Sequence, residues 1–385
     1  MKTKLRKIAI LADFPWSFFD KGATGRGGGQ ACTWLAQLAK EFAKQSRYQI
    51  HWISLDRSLT WGTAQRREWG SQFFTKLPVG KAMVDMALHH LPSRLLLMRE
   101  IKRIQPDLVH CWGTERSYPV VCSLVEIPSI LSMQGVISNL SRQGYLPDLW
   151  IWNQMAKLEP KLVRSATVVS CESEWAIQKV REFAPDADLR QVEYGVHPSF
   201  REVTWQPDLL RPYALFVGSL AKHKGVDILL EALAQLDPHS WSFKFAGDGP
   251  LLDAVVNCGL PHVQSLGVLA WKDLQLEMQQ ASFLIHPTLA DSSPNVVKEA
   301  RVIGLPVITS IHGGQAGYIR DGENGFIVNP LEPQGLAHAL QKLMTDPELI
   351  RKMGKARHDE DRAYFTPSNT ANGFLEIYSE LLKEY

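Results

Sequence analysis

Phe283-Leu-Ile-His286, Pro287-Thr-Leu-Ala-Asp-Ser-Ser293, Pro294-Asn-Val-Val-Lys-Glu-Ala-Arg-Val-Ile303 and Gly304-Leu-Pro-Val-Ile-Thr309 follow one another without a break. The two apolar runs at the ends read as short buried strands, and the segment between them as a polar loop feeding a helix. Ser293 is a good N-cap, and Pro294 suits the first helical position because its missing N–H would be unpaired there anyway. Asn295 and Val296 then present amides with no intrahelical acceptor, at the positive end of the helix dipole, which is a place for phosphate. Asp291 precedes the helix and Glu299 lies inside it, so an anion cradle is flanked by two carboxylates able to accept hydroxyl protons. That combination suits a molecule that is half pyrophosphate and half polyol. A capped surface helix with ordinary acidic residues would look the same over this stretch alone.

Working outward, the same alternation surrounds it. Tyr213–Val217 reads as a strand, Gly218–Lys224 as a loop, Val226–Leu236 as a helix and Ser242–Ala246 as the next strand. Val263–Val268 and Gly325–Val328 are further strands, with helices expected over Leu274–Gln280, Leu336–Met344, Pro347–Met353 and Thr370–Lys383. Before them, Pro198–Arg211 has two prolines and no period, and reads as a linker. The first half repeats the pattern. Lys7–Ala12 and Gln49–Leu55 are strands around a glycine-bearing loop, Gly25-Arg-Gly-Gly-Gly29, and a helix over Gln30–Gln45. Strands are expected again at Pro106–His110, Pro128–Met133, Ala166–Ser170 and Arg190–Gly195. Strand, loop and helix repeating in this way predict parallel sheets, whose ligands bind at the carboxyl ends of strands. His110, Gln134 and Gly195 fall at such ends.

Composition sets limits. With 385 residues, two domains are the natural expectation. A net charge of +2 implies no nucleic-acid-scale basic field. Five scattered cysteines without a CxxC pair read as reduced thiols of a cytoplasmic protein. No apolar run is long enough to span a bilayer. Asp186-Ala-Asp188 has a metal-like spacing but precedes a first-half strand, and Asp359-Glu-Asp361 reads as a solvated face, so no metal is expected. Lys76–Ile104 interleaves lysine, arginine and histidine with Leu, Val and Met. This basic amphipathic stretch, with Tyr145–Trp152, suggests contact with an anionic membrane surface. A helix with a solvated basic face is the plainer reading.

Taken together, Phe216-Val-Gly-Ser-Leu, Lys224-Gly225-Val-Asp-Ile-Leu-Leu, Gly247-Asp-Gly-Pro, His286-Pro-Thr, Asp291 with Glu299-Ala, Gly304-Leu-Pro-Val-Ile-Thr and Gly313-Gly with Asp321-Gly-Glu-Asn-Gly-Phe-Ile-Val form an ordered set over residues 213–345. This set resembles the GT-B retaining glycosyltransferases of the family 4 type (glycosyl transferases group 1). The first half matches more loosely, through Gly28-Gly29, Asp107–His110 and Gln191–Val196. The resemblance implies an α/β fold of two doubly wound Rossmann-like domains facing a central cleft. Residues 1–200 would form the acceptor-side domain, 201–365 the nucleotide-sugar domain and 366–385 a helix crossing back to the first. It further implies a UDP- or GDP-linked sugar as donor, a glycan or lipid-linked acceptor, no cofactor and no nucleic-acid partner, in cell-surface polysaccharide or glycolipid synthesis. Glu299 would bind the ribose, Asp291 the transferred sugar, and Pro294, Asn295 and Val296 the diphosphate. Lys224 would neutralise the leaving diphosphate, with Gly218 and Ser219 in the same loop, Val268 near the base and His223 as a further polar group. Gly28 and Gly29 would approach from the first domain.

Four positions depart from that family's pattern. Asp291 stands where Glu is common, and Ser219 where a basic residue often follows the strand glycine. Gln134-Gly135 replaces a frequent His-Gly pair, putting a group that cannot titrate beside the sugar; His110 is an alternative partner there. Gln315-Ala316-Gly317 replaces a frequent Pro-Glu pair. Two other functions stay open at this level: an epimerase or hydrolase of nucleotide-sugars on the same fold, and a binding protein without turnover.

Overall fold

The computed structural model describes residues 5–19, 33–60, 62–237 and 240–383, and the chain divides into two compact units. Among the described residues, unit 1 holds those up to Glu193 together with Pro367 onward, and unit 2 runs from Tyr194 to Thr366.

Unit 1 is built on eight strands: β1 (Arg6–Leu11), β2 (Tyr48–Asp56), β3 (Gln65–Trp69), β4 (Gln72–Pro78), β5 (Leu108–Trp112), β6 (Ser129–Ser132), β7 (Val168–Cys171) and β8 (Leu189–Gln191). Their order is β3-β4-β2-β1-β5-β6-β7-β8, parallel throughout except for the β3–β4 hairpin. Central strands such as Leu108–Trp112 are buried on both faces, hence their continuous apolar runs. The hairpin escaped the sequence reading because Gln65-Arg-Arg-Glu-Trp69 is almost wholly exposed and carries no apolar alternation. It also claims Lys76, which pairs with Asp56 at 2.9 Å. The basic stretch is therefore not one element: Lys76–Pro78 ends β4, and two helices follow, Ala82–Ala87 and Leu91–Ile104.

The helix Pro367–Leu381 belongs to this unit. Tyr378, fully buried, packs against Phe42 and Tyr48, and its hydroxyl lies 2.7 Å from His110 Nδ1. The other ring nitrogen of His110 lies 2.7 Å from Ser132 Oγ. His110 is thus not a strand-end ligand. It sits within β5 with both nitrogens engaged, and burial holds its pKa well below the ordinary value.

Unit 2 has six strands, β9 (Tyr213–Val217), β10 (Ser242–Ala246), β11 (Val263–Gly267), β12 (Phe283–His286), β13 (Val307–Ser310) and β14 (Gly325–Val328). Their order is β11-β10-β9-β12-β13-β14, all neighbours parallel. This is the doubly wound arrangement in which the chain steps outward from the first strand, returns, and steps outward on the other side. The segment read as a linker is part of the unit: Phe200 is fully buried in its core and Trp205 donates to Ala281 O at 2.8 Å. Asp361, read as solvated, is buried and pairs with the fully buried Arg301 at 3.0 Å.

Candidate functional site

In unit 2 the winding reverses between β9 and β12. The loops leaving the carboxyl ends of these two strands carry the expected residues: Gly218, Ser219, His223 and Lys224 after β9, and Asp291 through Pro294 after β12. A crevice opens at such a reversal because neighbouring loops depart to opposite faces of the sheet. The two loops are clamped together. Leu289 N and Thr288 Oγ1 donate to His223 O at 2.8 and 2.9 Å. Gly225 makes this possible: its φ is +71°, and a Cβ there would lie 2.1 Å from Pro287 O.

Across the clamp, Lys224 Nζ donates to Asp291 Oδ2. His286 Nε2 lies 3.6 Å from the same oxygen. Burial pushes the Asp291 carboxyl up, but the Lys224 ammonium and the His286 ring more than offset this and hold it well below the usual range. Burial lowers both His286 and His223, so neither adds a second cation at neutral pH. The backbone of Asp291 is fixed from the next loop, where Gly314 N donates to its carbonyl at 2.9 Å. Gly313 beside it has φ +128°, and a Cβ there would sit 2.7 Å from Asp291 O.

The helix Asn295–Ile303 starts one residue later than expected. Pro294 is its N-cap, and Ser293 instead accepts a hydrogen bond from Tyr318 at 2.7 Å. Asn295 and Val296 are consequently its first two residues, and their amides point out of the helix end. Glu299, one turn on, is 8% exposed and hydrogen-bonds to nothing among the described residues. Burial raises its carboxyl to about 7, with the neighbouring Lys298 ammonium opposing. A buried carboxyl without a partner is costly unless something supplies donors, and a pair of ligand hydroxyls would do so. Val268 follows β11 at the sheet edge and is exposed.

The remaining expected residues lie in unit 1 or outside the described residues. Gln134 is half-buried in the loop after β6. Gly28 and Gly29 lie outside the described residues. Sequence reasoning missed a cavity of about 530 Å3 at the carboxyl ends of β1, β2, β4 and β5, around that unit's own reversal between β1 and β5. Two of its wall carboxylates are paired in place, Asp13 with Arg116 at 2.7 Å and Asp56 with Lys76; Asp85 lies 2.9 Å from His90 Nδ1, and Arg57 also lines the wall. Trp16 and Trp152 contribute aromatic surface. Glu115 lines it as well, with Oε2 buried and unpartnered, and burial raises its carboxyl. These residues come from six separate segments, and no local motif links them.

Comparison with known proteins assigns part of unit 2. Residues 211–346 match the family described as glycosyl transferases group 1. The chain carries a glycosyl transferases group 1 domain. The domain holds Lys224, Asp291 and Glu299 within the matched span. Among characterised relatives, the alpha-D-kanosaminyltransferase of Streptomyces kanamyceticus is 27% identical over 317 residues, covering 75% of this chain and 82% of that protein. A glycosyltransferase of Methanocaldococcus jannaschii, itself uncharacterized, is 30% identical over 173 residues, covering 44% of this chain and 48% of that protein. The chain thus spans about half the length of that relative. Among solved structures, sucrose-phosphate synthase from Thermosynechococcus elongatus superposes with a TM-score of 0.78 at 17% identity, covering 99% of this chain and 100% of that one. HepE from Anabaena, solved with UDP-glucose, gives 0.68 at 19% identity, covering 97% and 99%. The fold shared around the group 1 domain is therefore GT-B, two Rossmann-like domains with parallel sheets.

Proposed function

We propose that the chain is a retaining, metal-independent glycosyltransferase that moves a sugar from a nucleoside diphosphate to a glycan or lipid-linked acceptor. One observation carries the reading: the reversal between β9 and β12 brings the Lys224–Asp291 pair together in the loops of the crevice, and Asp291's loop leads directly into the helix whose N-terminal amides and Glu299 complete the site. The ribose diol of the donor supplies the donors Glu299 lacks. The diphosphate meets the Asn295 and Val296 amides and the Lys224 ammonium, Asp291 accepts from the sugar hydroxyls, and Val268 lies toward the base. The bond from the anomeric carbon to phosphate oxygen breaks while the acceptor oxygen attacks from the same face, and that phosphate oxygen takes the acceptor proton. Lys224 and the helix end stabilise the charge that grows on the diphosphate, the role a divalent cation fills elsewhere. Gln134, unable to titrate, is consistent with a proton that goes to phosphate. Uridine diphosphate is the favoured carrier, supported by the UDP-glucose complex of the HepE structure. In unit 1 the cavity, with Asp13 and Asp56 paired to Arg116 and Lys76 and with Trp16 and Trp152 in its wall, suits a polyhydroxylated acceptor ring.

A nucleotide-sugar panel read by thermal shift tests the donor site. The matching donor at about a hundred times its Kd adds roughly 2.7 kcal/mol of stability, and turnover then appears with acceptor and persists in a chelator. Failure of every nucleotide diphosphate to shift the transition refutes the site.

Glu299 gives this binding a pH signature. Its folded pKa of about 7 lies above the ordinary 4.5, so the free protein holds a proton there that the bound donor's hydroxyls must displace. Affinity is expected to climb roughly tenfold per pH unit up to about 7 and then level, with uptake of one proton on donor release. Calorimetry in buffers of different ionisation heat reads the proton, and Glu299→Gln should flatten the profile. A wild-type affinity constant from pH 5.5 to 7.5 would refute the assignment.

A further inference from the structure

The helices Ala82–Ala87 and Leu91–Ile104 turn apolar side chains outward. Met83 is 69% and Leu95 64% exposed, with Val84, Leu88 and Leu91 exposed between them. This is not a loosely packed core, because the opposite faces are well buried through Met86, Leu97, Ile101 and Ile104. The ridge is also held in place. Asp85 accepts from Ser93 N and Ser93 Oγ at 3.0 and 2.6 Å and lies 2.9 Å from His90 Nδ1, and the turn between the helices puts His89 and His90 in left-handed conformations. Met86 packs with Met155 and Ile137, which sets the helix Trp150–Ser165 alongside; Leu149 and Trp150 at its start are exposed as well.

Charge indicates what covers this surface. Leu91, Leu95, Arg99 and Lys102 recur at helical spacing, giving one exposed stripe that is apolar in its first turns and basic in its last. Lys81 is exposed as well. The acids of the two helices are buried and paired, Asp85 beside His90 and Glu100 with Arg66 and Arg103. Apolar side chains flanked by cations, with the acids of the two helices tucked inward, match a bilayer with anionic headgroups: the apolar atoms enter the acyl boundary and the cations meet phosphate.

We propose that this ridge docks unit 1 on an anionic lipid surface. The cavity shares Asp85, Met86, His90 and Trp152 with the ridge and its flank, so docking holds the cavity beside the lipid. If the cavity takes the acceptor, which rests on the transferase reading, that acceptor is a lipid-linked sugar presented at the bilayer.

Co-sedimentation of the full chain with phosphatidylcholine vesicles, with and without about 30% phosphatidylglycerol, tests the docking at ~20 mM and ~500 mM salt. Binding is expected to the anionic vesicles at low salt, to weaken at least about tenfold in high salt, and to be accompanied by a blue shift of tryptophan emission. Met83→Ser with Leu95→Ser should weaken it about tenfold while leaving UDP binding unchanged, and Arg99→Gln with Lys102→Gln should remove most of the salt dependence. No binding to anionic vesicles at low salt overturns the proposal, as does equal binding by the Met83/Leu95 variant. A wild-type dimer that this variant converts to a monomer overturns it too and assigns the ridge to a protein interface. Retained turnover with loss of docking leaves the transferase reading standing; vesicle binding without UDP binding does the reverse.

Discussion

Lys224→Ala is expected to lower kcat by about two orders of magnitude, the usual consequence of removing a fixed group that stabilises charge on a departing oxygen. The effect should fall mainly on turnover, because the Asn295 and Val296 amides and Glu299 still hold the nucleotide. A second consequence follows from the ion pair. Without the ammonium, Asp291 loses the largest influence that keeps it ionised against burial, so its carboxyl moves up toward the ordinary range. Activity remaining in the variant should therefore fall off at a higher pH than in the wild type as pH is lowered. Lys224→Arg keeps the charge but spreads it over a planar fork, and is expected to recover only part of the rate. Initial rates across pH, with the UDP dissociation constant measured beside them, separate these effects; a kcat within twofold of wild type would remove Lys224 from the mechanism.

Arg301→Ala is expected to cost about 3–5 kcal/mol of stability in unit 2, because it strips one partner from a buried ion pair. The Arg301 guanidinium is fully buried near the carboxyl end of the helix Asn295–Ile303. It donates to Asp361 Oδ2 at 3.0 Å, to Leu305 O at 3.1 Å and to Ala356 O at 2.7 Å. Removing it leaves the Asp361 carboxylate and several carbonyls unpaired in the interior. Urea titration should show the midpoint of the unit 2 transition falling, with a thermal midpoint lower by on the order of 10 °C. An unchanged midpoint would mean that the cluster contributes nothing.

What could be read from the amino acids tracks the range of the interactions involved. Tyr213–Val217 and Phe283–His286 were placed to the residue, because a strand buried on both faces writes its burial into a nearly continuous apolar run; Ser242–Ala246 was too, through the alternation of a strand with one face less buried. The loops at the unit 2 reversal were legible for a similar reason: Lys224-Gly225, Asp291 and Glu299 lie in segments whose turn and cap chemistry is local. The helix Trp150–Ser165 lacked such a signal, and it carries Pro160, a residue that disfavours helix interiors. Its role as a wall of the unit 1 cavity was hidden with it. His110 looked like a strand-end ligand because its partner Tyr378 lies 268 positions away. Arg301 and Asp361 are 60 apart, and each alone looks like a surface charge. The missed features all depend on pairings that only the folded chain creates.

The return of Pro367–Leu381 to unit 1 has a consequence for how the chain comes off the ribosome. Unit 2 is continuous from Tyr194 to Thr366, so all of it can emerge and fold as a block. Unit 1 is interrupted: His110, Phe42 and Tyr48 are synthesised first, yet the Tyr378 ring and hydroxyl that cover them come only after the whole of unit 2. Through that interval the early unit has an open apolar seam. The helix Pro367–Leu381 is made after unit 2 yet covers residues made before it, and a nascent chain stalled before Pro367 would present that seam to chaperones.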